Sequence, residues 1–204
     1  MAVGDAAGAK GLITYTDALL VKDVDTGLNQ RGDDIAAVMG RTDILESQTN
    51  GPGFMVKRSS NGQSVPAESW TQLVSGAWAT PFLNDGFTWT GGSLTIPRAG
   101  IYDVRAHVMW RNDDFRTASI NVTRNSTVAD TQNTVAGNET TVESPSVDQE
   151  LQLGVTAAEF VPLNAGDVLR VFTLQRNRGG TPQKMGNRSY DLTFNVLWVR
   201  ELSV

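Results

Sequence analysis

Residues 98–110 read RAGIYDVRAHVMW, and from Ile101 onward apolar and polar positions alternate strictly. Tyr102, Val104, Ala106, Val108 and Trp110 fall on one side of an extended chain; Asp103, Arg105, His107 and Met109 fall on the other. Period two is the spacing of side chains on a strand with one face on a core and one facing outward. The same rhythm recurs downstream. GSLTIPRAG reads as a short strand entering a turn, RNDDF as a turn, and TASINVTRN as a strand with Ala118, Ile120 and Val122 on its inner face. Ser126 to Ser146 is polar and predicts a long connection with room for one edge strand. LQLGVTAAEFVPL predicts one strand, or two broken near Gly154. GDVLRVFTLQ and YDLTFNVLWVREL predict the last two strands, with Leu192, Phe194, Val196 and Trp198 facing inward in the second. Short strands at regular spacing with turn residues between them predict a mainly β fold, a β-sandwich of jelly-roll type.

The first fifty residues follow a different rule. MAVGDAAGAKG is small and flexible, an arm. Beyond it, Val21, Val24, Leu28, Ile35 and Val38 recur with Arg31 in the remaining slot, at steps of 3, 4, 3, 4 and 3. That is a short heptad-like stripe, capped at Thr16 or Asp17, and it predicts a helical segment. Gly27 and Gly32 lie off the stripe but each costs a helix about 1 kcal/mol, so a break near Asn29–Gly32 is as compatible as a continuous helix. The stripe suits packing on the chain's own domain, or attachment and oligomerisation through another chain. SQTNGPGF, residues 47–54, ends the helical text and divides the chain into an N-terminal segment, 1–50, and a head, 51–204.

Composition narrows the classes. A chain of 204 residues with 40% apolar residues furnishes one substantial domain plus an extension. Net charge of −5 and a pI near 4.9 argue against a general affinity for nucleic acid. No run of eighteen apolar residues exists, so membrane insertion is not expected. The N-terminus lacks the basic start and apolar run of a signal peptide, so the sequons at Asn121, Asn125, Asn138 and Asn187 read as ordinary polar strand and loop text. The absence of cysteine removes disulfides, thiolate metal sites and thiol nucleophiles, and leaves stability to burial within or between chains.

Candidate chemistry is sparse. His107 is the only histidine and sits on the polar side of its strand, which suits a surface or subunit-interface position better than a catalytic base; its charge change between pH 5 and 8 is its one functional prospect. Asp23–Asp25 and Asn112–Asp114 supply oxygen ligands without a calcium-loop signature, and GGTPQKMG lacks the order of a phosphate-binding loop, so no metal or cofactor is expected. QRNRGGTPQKMGNR is the distinctive loop: Arg176, Arg178, Lys184 and Arg188 stand among glycines in an otherwise acidic chain. It reads as a solvated hairpin tip or as a contact for an anionic surface, including a host glycan. Trp70, Trp78 and Trp89 suit core or interface, with sugar stacking the rival.

Three stretches then carry a resemblance. GIYDV at Gly100–Val104, LNAGDVLRV at Leu163–Val171 and YDLTFNVLWV at Tyr190–Val199, in that order and at those distances, resemble the C1q/TNF-like domain over about residues 54–204. FNV stands where the family's last strand has Phe-x-Gly. The resemblance implies a ten-stranded jelly roll that assembles as a homotrimer, its inner sheets facing one another around a threefold axis. Tyr102, Val104, Trp110, Phe194 and Trp198 would then build the head, in its core or along the threefold contact.

The combination of arm, helical segment, such a head and no secretion signal looks like bacteriophage virion proteins. VKDVDTGLNQRGDDIA in particular is similar to N-terminal segments of small structural proteins from phages of actinobacteria. The resemblance implies a non-enzymatic virion component, assembled in the host cytoplasm and partnered by itself and by other tail or capsid proteins. A minor tail or fibre protein attached by its N-terminus and adhering to the host is favoured; a capsid decoration protein and a carbohydrate-binding module are the alternatives.

Overall fold

The computed structural model describes residues 51–60, 62–113, 115–141, 151–185 and 191–202, together with Ile35 and Val38. The chain divides into two compact units, Met1–Asn50 and Gly51–Val204. Of the apolar stripe, Val21, Val24 and Leu28 lie outside the described residues; Ile35 and Val38 are helical and expose 61% and 59% of their surface.

The second unit holds strands β1 (Gly53–Lys57), β2 (Ser64–Val65), β3 (Thr71–Gln72), β4 (Leu83–Asn84), β5 (Thr88–Thr90), β6 (Ser93–Thr95), β7 (Gly100–Asp113), β8 (Phe115–Arg124), β9 (Thr134–Thr141), β10 (Leu151–Leu163), β11 (Val168–Asn177), β12 (Gln183–Lys184) and β13 (Leu192–Arg200). One sheet runs β10-β7-β13-β1-β4; the other runs β5-β6-β11-β8-β9, with β3 also on β11. β2 and β12 form a separate two-stranded patch. The strand pairs are antiparallel. Non-consecutive neighbours in both sheets are the mark of a jelly roll.

The alternation is what closes the sandwich. Val104 faces Val196, and Ala106 faces Phe194 across the β7–β13 ladder, so one phase of both strands is inward together. On the second sheet Val122 faces Val171, and both join the same core. The largest fully buried side chains include Trp110, Tyr102, Phe54, Phe115 and Phe194. Phe54 sits in an aromatic cluster, with ring centroids 5.0 Å from Trp89, 5.9 Å from Phe87 and 6.0 Å from Phe194. Such tilted contacts add to the burial of each ring.

Three sequence expectations need correction or completion. β7 continues to Asp113 and β8 begins at Phe115, so the connection at RNDDF is far tighter than a five-residue turn. β10 is a single strand: Gly154 keeps its place opposite Met109, and the irregularity lies between Leu151 and Leu153 instead. The polar stretch after Ser126 does contain an edge strand, β9, in which Ala136 is the one buried position. Its place is fixed by pairing with β8 rather than by apolar alternation.

Candidate interaction surface

The outward face of the β10-β7-β13-β1-β4 sheet carries the polar phase of β7. Across it, Asp103 stands between Phe160 and Leu197, Arg105 between Ala158 and Asn195, and His107 between Thr156 and Thr193. Arg105 grips Asp103 at 2.9 Å and 2.8 Å through two nitrogens, and this hydrogen-bonded pairing raises the exposed guanidinium's pKa further. His107 Nδ1 and Thr156 Oγ1 share a hydrogen bond of 2.8 Å. Partial burial lowers the imidazole pKa below 6.5, against the opposing pull of Asp191 and of a backbone hydrogen bond with Val155. The His107–Thr156 bond thus joins β7 to β10 on the outward face.

Two aromatic side chains stand at opposite edges of this sheet. Phe160, on edge strand β10, is 62% exposed, and Phe82, just before edge strand β4, is 58% exposed with Lys57 Nζ 4.9 Å above its ring. Neither was singled out in the sequence. For Phe160 the signal was present: in VTAAEFVPL, Val155, Ala157 and Val161 hold the inward phase, and Phe160 falls out of step with them. Large apolar side chains on a face mark an interaction site when they share it with others, not when scattered singly.

The sandwich has two distinct poles. The chain enters at Gly51–Pro52, where Pro52 accepts a hydrogen bond from the Trp198 amide at 3.0 Å. Trp198 is slotted between Gly51 and Gly100; a Cβ on either would overlap the indole. The Arg98 guanidinium lies 4.4 Å from the centroid of that ring and bonds Glu201 at 2.8 Å. Tyr102 at this end donates its hydroxyl to the Arg98 carbonyl at 2.7 Å, and burial pushes its pKa up to about 12.

The opposite pole is where β11 ends, β8 begins and β13 begins, with Asn177 facing Phe115 and Leu192 facing Val108. Here the arginine- and glycine-containing loop leaves β11. Its first turn is fastened by carboxamides, while Arg178, Gly179, Gly180, Thr181 and Pro182 remain exposed. Asn177 Nδ2 donates to the Thr181 carbonyl at 2.8 Å and to Gln175 Oε1 at 3.1 Å, and Gln175 Nε2 donates to the carbonyls of Thr181 at 3.1 Å and Val65 at 3.3 Å. The Thr181 amide returns a bond to Asn177 Oδ1 at 3.1 Å. β12 then pairs with β2, and Met185 is buried in the core. No sequence pattern announced this clamp, because buried Gln and Asn read as ordinary loop residues until their partners are known.

The remaining sequence candidates divide cleanly. Tyr102, Val104, Trp110, Phe194 and Trp198 are all buried in the core of the single chain, so they are not surface contacts. Arg176, Arg178 and Lys184 are exposed; Arg188 lies outside the described residues. Trp78 is buried and Trp89 packs on the core, while Trp70 is 37% exposed. The sequon residues Asn125 and Asn138 use their side-chain amides within the protein, on Asp167 and on the Thr156 carbonyl. Asp23–Asp25 lie outside the described residues, among which no group of metal-ligating side chains gathers and no helix is long and apolar enough to cross a membrane.

No family model matches the chain, and no curated protein matches it by sequence. Solved structures do match by fold. Murine APRIL at pH 8.0 aligns with a TM-score of 0.52 and 16% identity, over 73% of this chain and 99% of that one. The Eiger TNF of S. frugiperda aligns with a TM-score of 0.54 and 16% identity, over 76% of this chain and 97% of that one. Both alignments take in nearly the whole of the neighbour's jelly roll, and the head of this chain has the TNF-like jelly-roll fold.

Proposed function

We propose that this chain is a non-enzymatic structural protein whose head self-associates as a homotrimer, through the outward face of the β10-β7-β13-β1-β4 sheet. The observation that carries the reading is the pair of exposed aromatics, Phe160 and Phe82, at the two edges of that one sheet. A closed ring of identical subunits uses a heterologous contact, in which one patch of each copy meets a different patch of the next. Two unlike exposed aromatics at opposite edges of one sheet fit that requirement. The fold supports the same assembly, since the trimer is what a C1q/TNF-like resemblance implies. His107, Thr156 and the Asp103–Arg105 pair would lie within the contact, giving it polar register as well as burial.

The finer part of the reading is a phage virion component, with a minor tail or fibre position favoured. Its support is the similarity of VKDVDTGLNQRGDDIA to N-terminal segments of small phage structural proteins, together with the polarity of the head. Within the head, Gly51 and Pro52 lie at the Trp198 pole and the exposed Arg176 and Arg178 at the other, which makes that basic pole the candidate adhesive surface. Sedimentation of the full chain at micromolar concentration tests the assembly. The wild type is expected as a trimer and Phe160→Glu as a folded monomer, because a buried unpaired carboxylate opposes association. A monomeric wild type would overturn the reading. Gel quantification of purified particles tests the position: low copy number fits a tail component, and capsomer-like abundance fits shell decoration.

A further inference from the structure

We infer that the pole opposite the chain entry binds an acidic polysaccharide, one whose sugar rings carry carboxylates. This rests on the adhesive reading of that pole proposed above and names the partner for it. Three features meet there. First, Arg176, Arg178 and Lys184 are exposed in a chain of net charge −5, so cations are concentrated where the molecule as a whole is acidic. Second, the clamp of Asn177, Gln175 and Thr181 holds the loop in one shape before any ligand arrives, which lowers the ordering cost of binding. Third, an indole lies alongside. The Glu68 amide bonds the Gln175 carbonyl at 2.8 Å and Thr71 faces Thr173, so residues 68–71 run beside the end of β11. Trp70, 37% exposed, lies in that run one step before Thr71. Cross-strand neighbours and their diagonals lie within reach of long side chains.

A cation group alone fits any polyanion. An exposed indole in the segment beside the end of β11 selects a sugar ring, whose apolar face stacks on an aromatic, as it does in binding sites with one apolar and one wet side. The guanidinium forks match carboxylates in a planar, two-bond geometry. Nucleic acid fits less well, because a head with 13 Lys/Arg against 14 Asp/Glu offers a long phosphate backbone little neutralisation beyond this small patch.

The test uses the full-length chain and its measured sedimentation state. Polygalacturonate and hyaluronan oligosaccharides are titrated calorimetrically, beside neutral dextran and a single-stranded DNA oligonucleotide of equal charge. Binding of the two acidic glycans, none to dextran, and loss of binding between about 0.05 and about 0.5 M salt are expected. Trp70→Ala weakens glycan binding about tenfold, one step of the affinity scale. The triple variant Arg176→Gln, Arg178→Gln, Lys184→Gln abolishes it, with sedimentation unchanged in both. Glycan binding untouched by either variant, equal binding of dextran, or DNA bound as tightly and without regard to Trp70 overturns the inference. If the trimer fails to form while glycan binding follows these variants, the assembly reading falls and this one stands.

Discussion

At the scale of the residue, the head depends on a few side chains whose surroundings are narrowly set. Tyr102 is the clearest. Its ring completes the inward phase of β7 and its hydroxyl reaches the Arg98 carbonyl, while burial disfavours the phenolate and raises its pKa to about 12. The unfolded chain loses that proton near pH 10. Stability supplied by the neutral form is therefore complete below pH 10 and is lost as pH rises from about 10 through about 12. Denaturant melts over that range are expected to show the loss, and Tyr102→Phe should flatten it while costing about 1 kcal/mol at neutral pH for the missing hydrogen bond. An unchanged alkaline limb in the variant would assign the loss to other groups. Gly51 and Gly100 are narrow in another way: both lie where the Trp198 indole must pass, and neither position tolerates a side chain without moving that ring.

At the scale of the element, the strands obey their own alternation, whereas the turn from Asn177 to Thr181 obeys its partners. Gln175 and Asn177 occupy β11 positions where an apolar residue would have served the core, and they instead fasten the loop to Thr181 and Val65. Asn177→Ala leaves Gln175 Oε1 and the Thr181 carbonyl without a donor they now have. The expected cost is about 1–3 kcal/mol, with new protease cleavage between Arg178 and Lys184 while the sandwich persists. Cleavage there in the wild type at the same rate would show that the clamp does not restrain the loop. β9 teaches the converse: a strand with one core side chain, Ala136, exists because β8 offers it a ladder.

At the scale of the whole molecule, the head buries its own five predicted aromatic and aliphatic residues, so association must draw on a different set. Tyr102, Val104, Trp110, Phe194 and Trp198 face inward, and the outward phase of the same strands meets solvent with Asp103, Arg105, His107 and their neighbours. Deletion of residues 1–50 is expected to leave a folded trimer that sediments like the heads of the intact protein but no longer joins particles. A truncated chain that still incorporates would overturn the division between attachment and head. Partial covering of His107 already lowers its pKa, so a contact over this face favours the neutral imidazole still more.

The alternation of apolar and polar residues determined by itself that the chain makes a sandwich, which residues of β7, β8 and β13 fill it, and that the first fifty residues form a separate text. It could do so because burial of one face per strand is a local, period-two property. The sequence also held the out-of-step Phe160, but nothing local shows that β10 and the strand after Phe82, seventy-eight positions earlier, are the two edges of one sheet. That sheet, the carboxamide clamp, the Trp198 slot and the approach of residues 68–71 to the end of β11 were decided only by the tertiary structure. Each joins segments distant along the chain, and the pairing energy of such segments lies in their contact, not in either one alone.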